Sequence, residues 1–562
     1  MLTKNLKVQI DNLKGFRLRL FSPKGFWVFL MILFLQNINA QGLEDRPKIV
    51  VGVVVDQMRW DYLYRYQDRY MDGGFKRLLQ QGFTCENVHI NYSPTSTGPG
   101  HSCVYTGSVP AIHGIIGNSW YDRSVGRSVN CVEDTSVQNV GVPHKKGGPR
   151  SPRQLLVTTI GDELKLSNNS RSKVVAVSFK DRGAILPGGH MSNGSYWFDN
   201  DTGKFKTSTY YMSELPQWVN DFNHRKLSDY YLTQTWKTLY PIETYVQSTE
   251  DNKPYEWGLI DKEHPVFPFE YSTQDNGYAA IAKSAFGNIL TFEMAKAAIE
   301  GEGLGTNDFT DMIAISFSAT DAIGHAVGPN AIEIEDTYLR LDQEFAEFFT
   351  YLDNRFGSDG YLFFITADHG VSHSPGFLKE KGVPTGDYTD NFVEEINDFV
   401  KNMYGIDKAI ISFKYEIYLN WTEIRGKNTV DEENLMNEII LMIKEQPGVL
   451  DAWPSRKLGL APWPETIKER FINGYNALRG GDIQIVFQSG WKQGIGKGAN
   501  HGSWHPYDSH IPLVWMGWNV EHGQTNRYIE MSDIAPTLAA MLKIQMPSGS
   551  IGTPILEITD KR

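Results

Sequence analysis

Residues 312–325 read MIAISFSATDAIGH, an apolar run followed by an aspartate and a histidine. The run 312–317 has the β-branched and aromatic character of a buried parallel strand. Asp321 and His325 are four positions apart and would share one face of a helical turn. Such pairs are also common by chance, so this pair alone does not establish a metal site.

A second apolar run, residues 361–366 (YLFFIT), is followed closely by Asp368 and His369. In open α/β sheets the ligand crevice lies outside the carboxyl ends of the strands. Carboxylates and imidazoles placed there can converge on one ion. Two interpretations of Asp368 and His369 remain open from these residues alone: half of a metal site, or a turn cap beside a satisfied polar histidine.

Further strand signals follow the same pattern. Residues 49–55 are almost purely β-branched and end at Asp56, residues 174–179 end at Lys180, and residues 511–516 close the series. Asp56 taken by itself could be an ordinary first-turn acid. The order of these runs predicts an α/β fold, a doubly wound and mostly parallel central sheet with helices on both faces and inserted cap segments.

The composition and patterning of the segments between the predicted strands predict the domain organisation. Residues 195–285 are rich in Tyr, Trp and Asn, whereas residues 380–485 alternate helical patterns (391–403, 433–444) with short strands (409–413, 483–487). We therefore expect a core in three parts, residues 41–195, 286–378 and 489–562. A loop-rich insertion would occupy residues 196–285, and a small α+β cap would occupy residues 379–488.

Charge is distributed unevenly along the 562 residues, whose formal net charge is −12. The first 40 residues are basic, so the remainder is more acidic than the whole chain. An acidic body argues against nucleic acid as a partner. At 41% hydrophobic residues the chain can bury a large core, as expected of a folded enzyme.

The basic leader contains an apolar run of ten residues, 26–35. As a helix such a run is only about 15 Å long, too short for a hydrocarbon core of about 30 Å. The pattern is typical of a secretory signal peptide over residues 1–40, cleaved near Ala40 and Gln41, with an uncleaved anchor as the alternative. We expect a secreted or periplasmic protein with no stable membrane span after cleavage.

Three cysteines, Cys85, Cys103 and Cys131, are present at no metal-finger spacing. At most one disulfide can form among them, and the sequence does not say whether one does. Disulfides therefore do not define this fold.

Residues 93–101 read SPTSTGPGH, a segment poor in helix formers. Hydroxyls before a helix are usually N-caps, which suits Thr95 or Ser96. Thr97 differs because Gly98 and Pro99 allow a tight turn, so its hydroxyl could point outward at a helix N-terminus. That position favours anions and could serve both a nucleophile and a phosphate-sized group.

His501 lies in a histidine-rich stretch, residues 499–510 (ANHGSWHPYDSH). Three histidines occur within it, and spacing alone does not say which of them binds metal.

Taken together these residues match a family. The sequence resembles the alkaline phosphatase superfamily of two-zinc enzymes in the chain order of its motifs: Asp56, Thr97-x-Pro-x-His, Asp321-x-x-x-His325, Asp368-His369-Gly and His501-Gly. Matching motifs extend from about residue 48 to 556. The resemblance is strongest to the secreted, calcium-independent PafA-like bacterial alkaline phosphatases, through Lys180-Asp-Arg182 and Gly117-Asn118.

The resemblance implies two Zn²⁺ ions per chain. One would be held by Asp321, His325 and His501, and the other by Asp56, Asp368 and His369 with the Thr97 oxygen. Two metals about 4 Å apart can neutralise charge on the attacking and leaving oxygens of a phosphate ester. Thr97 would then be the nucleophile, forming a covalent phosphothreonine and releasing alcohol and inorganic phosphate.

Three further residues bear on the substrate class. Lys180 and Arg182, two positions apart at a strand end, can point the same way and supply charge to the oxygens of a monoester. Asn118, with the Thr97 amide, resembles the polar clamp that this superfamily places on one phosphate oxygen. Without the neighbouring motifs, the basic pair would be interpreted as solvated surface charge.

Small phosphate monoesters are therefore the expected substrates, and we expect a monomer. The alternative is a phosphodiesterase or phosphonate hydrolase of the same superfamily, in which the basic pair is absent. A sulfatase would need Cys or Ser in a Cys-x-Pro-x-Arg context, and none of the three cysteines has it. A binding protein that keeps the fold without turnover is disfavoured because every catalytic position is filled.

Overall fold

The computed structural model describes residues 46–142, 148–260, 265–271, 277–389, 391–427, 430–494 and 496–560. The leader, residues 1–40, with its expected cleavage site lies outside these residues. The described residues from Pro47 onward belong to one compact unit. Among the described residues, no helix is both long and apolar enough to cross a bilayer.

Strands of the described residues are, in chain order, β1 (Ile49–Val55), β2 (Phe83–His89), β3 (Ser119–Asp122), β4 (Arg127–Asn130), β5 (Asn139–Val140), β6 (Val174–Ser178), β7 (Gly194–Asp199), β8 (Lys204–Ser208), β9 (Thr235–Trp236), β10 (Phe269–Glu270), β11 (Asp311–Phe317), β12 (Tyr361–Thr366), β13 (Gly386–Tyr388), β14 (Ile410–Lys414), β15 (Glu416–Leu419), β16 (Val449–Pro454), β17 (Ile483–Phe487), β18 (Trp491–Gln493), β19 (His510–Gly517), β20 (Gly523–Thr525) and β21 (Ile529–Glu530). Eleven of them form the central sheet, in the order β20-β2-β19-β12-β1-β11-β6-β7-β8-β5, with β21 paired to β2.

The middle of this sheet is parallel. Strands β12, β1, β11, β6 and β7 run in one direction, and β19 pairs with β12 in the opposite direction. Strands β1, β11 and β12 are buried along their whole length, which explains why their sequences are continuous apolar runs rather than alternating ones. The predicted fold class, an α/β fold with a mostly parallel central sheet, is confirmed.

The α-helices are Tyr62–Arg65, Phe75–Gln81, Thr97–Thr106, Pro110–His113, Ile160–Leu166, Asp181–Gly188, Gln217–His224, Leu227–Leu232, Phe286–Glu302, Ala319–Val327, Ile332–Phe356, Pro375–Glu380, Asn391–Tyr404, Trp421–Gly426, Glu432–Lys444, Glu465–Gly474, Pro506–Ser509, Ile534–Leu542 and Leu556–Thr559. Short 3₁₀ helices cover Gln67–Arg69, Pro152–Gln154, Ile242–Thr244, Gly277–Lys283, Ser455–Leu460 and Met531–Asp533. Helix Phe286–Glu302 packs on β11 and β6, and helix Phe75–Gln81 packs on β19 and β2.

A second sheet, in the order β14-β15-β17-β16, lies in the part of the chain assigned to the cap. Helices Asn391–Tyr404 and Glu432–Lys444 pack with it around a separate hydrophobic cluster that includes Ile396, Ile417 and Ile439. We refer to residues 391–487 as the cap. The exact boundaries of the inserted segments stay a prediction.

The first part of the core extends further along the chain than predicted from the sequence. The predicted end of the first core part at residue 195 is wrong, because β7 and β8 continue the central sheet beyond that point. The aromatic residues there are strand residues, not loop residues: Phe198 is buried in β7 and stacks on Phe179 at 4.4 Å between ring centroids.

Cys85, Cys103 and Cys131 are all buried and unbridged. Disulfides among them therefore do not contribute to this structure.

Candidate active site

The register of the central sheet places the candidate site residues at the same edge of the sheet, just beyond the carboxyl ends of its parallel strands. Four residues lie side by side across the parallel strands: Thr366, Val54, Ser316 and Ser178. Asp368, Asp56 and Lys180 each follow two positions later, and Asp321 lies on the helix that begins just after β11. Three of the four strand ends thus present a charged side chain to the same edge.

A first group of candidate ligands consists of Asp321, His325 and His501, whose ligand atoms lie within 4.8 Å of one another. The Nε2 atoms of His325 and His501 are 3.2 and 3.7 Å from Asp321 Oδ1. Their Nδ1 atoms are 3.0 and 2.8 Å from the Ala499 and Thr95 carbonyl oxygens. An Nδ1–H bonded to a carbonyl leaves Nε2 unprotonated, as metal coordination requires.

A second group lies beside the first. His369 Nε2 is 3.5 Å from Asp56 Oδ1 and 3.5 Å from Asp368 Oδ2. Asp56, His369 and Asp321 have ligand atoms within 4.8 Å of one another, so Asp321 lies between the groups. Asp56 Oδ1, Asp368 Oδ2 and His369 Nε2 are buried and make no hydrogen bond. Buried polar atoms without partners are costly, and a shared metal ion would satisfy them.

Electrostatics also favour a cation here. Burial, and then the nearby Asp321 and Asp368 carboxylates, raise the pKa of Asp56 to about 8. The Lys180 ammonium compensates part of this charge, with Nζ 2.6 Å from Asp56 Oδ2 and 2.5 Å from Asp321 Oδ2. The donor set of carboxylates and imidazoles fits zinc.

Thr97 is the first residue of helix Thr97–Thr106, and the N-cap Ser96 makes no side-chain capping bond. The helix N-terminus therefore keeps donors and a favourable dipole for an anion. It lies against the metal groups because Gly100 has no side chain: a Cβ there would be 2.4 Å from the Asp368 carbonyl oxygen. Asn118 borders this end, and its Oδ1 accepts a hydrogen bond of 2.7 Å from the Gly98 amide.

The sequence predicted that Lys180 and Arg182 point the same way because they alternate along the end of a strand. The structure shows that neither residue lies in a strand. Strand β6 ends at Ser178, Lys180 is the N-cap of helix Asp181–Gly188, and Arg182 is in its first turn. Their placement follows from the helix start and not from strand alternation. The Arg182 Nε is buried without a hydrogen-bond partner, which leaves a donor for a ligand.

A cavity of about 220 Å³ opens beside these groups. Its lining includes Ser96, Asn118, Ser119, His325, Lys414 and His501, so the cap contributes a wall to a site built mainly by the core.

Two residues that sequence reasoning did not assign support the candidate ligands. His101 Nδ1 lies 2.9 Å from the Thr97 carbonyl oxygen and 3.3 Å from Asp368 Oδ2. Gln57 donates from its backbone N–H to Asp368 Oδ1 at 3.1 Å and from Nε2 to Asp321 Oδ1 at 2.6 Å. The His101 position was visible in the Thr97 motif, whereas no sequence signal marked Gln57.

Gln57 is held in a backbone conformation that is unusual for a non-glycine residue, with φ of 69°. Its side chain fits only because Gly324 leaves room: a Cβ on Gly324 would be 1.9 Å from Gln57 Oε1. Strain of this kind persists where surrounding contacts require it, often at functional sites.

Replacing Gln57 by leucine is expected to weaken zinc binding by about 10- to 100-fold, because partners behind metal ligands orient them. Zinc dissociation constants measured by competition with a chelating indicator would show this. Gln524→Leu, an exposed glutamine outside the site, is the matched control. Equal zinc affinity in Gln57→Leu and wild type would contradict a supporting role.

Comparisons with known proteins show which sequences and structures this chain is similar to. A sequence model of the type I phosphodiesterase / nucleotide pyrophosphatase family matches residues 50–508. The chain is 47% identical over 544 residues to alkaline phosphatase PhoV of Synechococcus elongatus, covering 94% of this chain and 98% of that one. It is 46% identical over 540 residues to alkaline phosphatase PafA of Elizabethkingia meningoseptica, covering 95% and 98%.

A third relative, from Myroides odoratus, is named a calcium-transporting ATPase and is 47% identical over 525 residues, covering 92% and 95%. Among solved structures, wild-type alkaline phosphatase PafA superposes with a TM-score of 0.88 at 45% identity, covering 92% of this chain and 99% of that one. A variant of PafA, with one threonine, one asparagine, one lysine and one arginine substituted, superposes with a TM-score of 0.89.

Proposed function

We propose that Thr97 is the nucleophile of a two-zinc site in this chain, which belongs to the type I phosphodiesterase / nucleotide pyrophosphatase family. The chain is an alkaline phosphatase, an enzyme that hydrolyses phosphate monoesters, as are relatives of 46–47% identity over most of its length. The observation that carries the finer proposal is the convergence of three buried candidate ligand atoms without hydrogen-bond partners, on Asp56, Asp368 and His369.

We assign one zinc to Asp321, His325 and His501, and the other to Asp56, Asp368 and His369 with Thr97. When bound, the two ions would supply positive charge and lower the pKa of a coordinated hydroxyl or water. The Thr97 Oγ1 forms a bond to phosphorus as the ester oxygen leaves, which gives a phosphothreonine and an alcohol. Water then attacks this phosphothreonine, which releases inorganic phosphate and restores the Thr97 hydroxyl.

Recognition of the phosphoryl group falls to Asn118, Lys180 and Arg182. A monoester presents three non-bridging oxygens and close to two negative charges, so donors and cations aimed at them stabilise its transition state. Thr97, Asn118, Lys180 and Arg182 have the same residue types and the same separations along the chain as the four residues substituted in the PafA variant. The terminal phosphate of ATP offers the same oxygens, so ATP hydrolysis would be one case of this chemistry.

The second candidate function is phosphodiester hydrolysis, which the family description favours. A diester has one charge fewer and carries a second ester group where a monoester has a free oxygen. The positive charges of Lys180 and Arg182 should therefore favour hydrolysis of monoesters over hydrolysis of diesters.

The double variant Lys180→Ala/Arg182→Ala is expected to lower kcat/KM for a phosphate monoester by about 10²- to 10³-fold and for a diester by less than about tenfold. Rates with a monoester, a diester and a sulfate ester on zinc-loaded protein would test the preference in wild type and variant together. We expect wild type to favour the monoester.

Arg171→Ala/Lys173→Ala is the matched control, since it removes a basic pair of the same spacing outside the site. An unchanged ratio of monoester to diester rates in the Lys180/Arg182 variant would remove the basis for their role. A wild-type preference for diesters would favour the second candidate function.

We also propose a secreted or periplasmic monomer, with the leader removed near Ala40 and Gln41. The basic residues and the short apolar run of the leader support the secreted or periplasmic location.

A further inference from the structure

The cap reaches the active-site cavity through one hairpin. Strands β14 and β15 pair so that Lys414 lies opposite Glu416, which leaves Tyr415 alone at the turn. Tyr415 has φ of 65°, a left-handed conformation that is strained for a tyrosine. We refer to residues 414–416 as the hairpin tip.

Contacts fix this tip over the cavity. The Tyr415 hydroxyl donates to the His501 carbonyl oxygen at 2.7 Å, so the turn is tied to the backbone of a candidate zinc ligand. The Lys414 Nζ donates to Ser119 Oγ at 2.8 Å, next to Asn118. The strained turn is thus held by hydrogen bonds to the core at both residues.

Lys414 is exposed and is one of the residues that line the cavity. The positive charge of Arg182 repels that of Lys414. The Glu416 carboxylate also lines the cavity and accepts a hydrogen bond from the Gly481 amide. Two cations close enough to repel each other create a positive potential between them, which an anion would relieve.

The part of the substrate that would occupy this cavity follows from the proposed function, on which this inference rests. In-line attack by Thr97 expels the ester oxygen on the side away from the nucleophile, towards the group of His325 and His501. Both histidines line the cavity. The alcohol portion of the ester therefore extends past them towards the hairpin tip.

We propose that Lys414 is a specificity-determining residue that favours phosphate monoesters whose alcohol portion carries a second negative charge. Esters with a carboxylate or a further phosphate on the alcohol belong to this class. Sequence motifs gave no sign of the residue, because it lies on the cap, far along the chain from Ser119 and His501.

Three monoesters whose alcohol portion is built on a two-carbon chain test the proposal: phosphoglycolate (anionic), ethyl phosphate (neutral) and phosphocholine (cationic, with three further methyl groups on its nitrogen). Lys414→Met is expected to lower the ratio of kcat/KM for phosphoglycolate to that for ethyl phosphate by roughly tenfold, and high salt is expected to weaken the wild-type preference. Comparing variant with wild type cancels the intrinsic reactivity of each ester.

Lys414→Arg should retain the preference, and Lys414→Glu should shift it towards phosphocholine. Lys408→Met, an exposed cap lysine outside the cavity lining, is the control. A ratio within about twofold of wild type in Lys414→Met, or an equal change in Lys408→Met, overturns the proposal. Failure of wild type to hydrolyse any of the three esters would overturn the proposed function as well, whereas hydrolysis with unchanged ratios overturns this inference alone.

Discussion

Replacing Thr97 by alanine is expected to abolish turnover, lowering kcat by at least about 10⁴-fold, while both zinc ions stay bound. The reason is that the hydroxyl is the proposed nucleophile, whereas each proposed zinc site keeps three aspartate and histidine ligands without the Thr97 oxygen. Thr97 begins a buried helix, and alanine fits the same position without clash. Steady-state rates with a phosphate monoester and zinc content by mass spectrometry would measure the two effects separately.

Thr97→Ser is the control, because it retains a hydroxyl at the same place and should keep measurable activity. A phosphate-dependent mass increase on peptide 97–106 of the serine or wild-type enzyme, trapped at low pH, would detect the covalent intermediate. Equal monoesterase rates in Thr97→Ala and wild type would refute the nucleophile assignment.

Asp368→Ala is expected to reduce bound zinc from about two ions per chain to about one, with a loss of activity of about 10³-fold or more. Asp368 Oδ2 is one of the three buried atoms that have no hydrogen-bond partner. Its Oδ1 also accepts hydrogen bonds from the backbone amides of Gln57 and His369. The substitution therefore removes one proposed ligand and loosens the chain around another, His369.

Zinc per chain after dialysis against a weak chelator would measure this loss, with thermal unfolding as a check on folding. Asp353→Ala, which removes an ion pair with Arg77 outside the site, is the matched control. Full zinc content in Asp368→Ala would exclude Asp368 as a ligand and would leave the grouping of Asp56 and His369 with Asp321 as the better assignment.

Several elements of the fold could be predicted from local sequence. The strands at 49–55, 361–366 and 483–487 have the bounds expected from their apolar runs, and helix Asn391–Tyr404 is one residue longer than its pattern. These runs are informative because a strand buried on both faces must be apolar throughout. The run at β7 was missed because aromatic residues suit both a buried strand and a loop packed on a core.

Residues that act through long-range contacts could not be found in this way. In the sequence, Gln57 is simply the residue after Asp56. Only its hydrogen bonds to Asp321 and Asp368 in the structure show that it supports the candidate metal ligands. Lys414 is an exposed lysine on a cap hairpin, and only the cavity shows that it faces the same space as Asn118. In the sequence, the residue types and spacing of Gln57 and Lys414 do not distinguish them from ordinary solvent-exposed residues.

The sequence by itself determined the strand runs and the fold class, because burial restricts residue types locally. The candidate metal ligands followed from the resemblance of the motif order to a family. The tertiary structure alone decided which of those residues meet. Parallel pairing places Thr366, Val54, Ser316 and Ser178 side by side, so the charged residues beyond them converge although hundreds of positions separate them in the chain. Register is a property of paired strands, and a shift of one residue would turn each side chain to the opposite face.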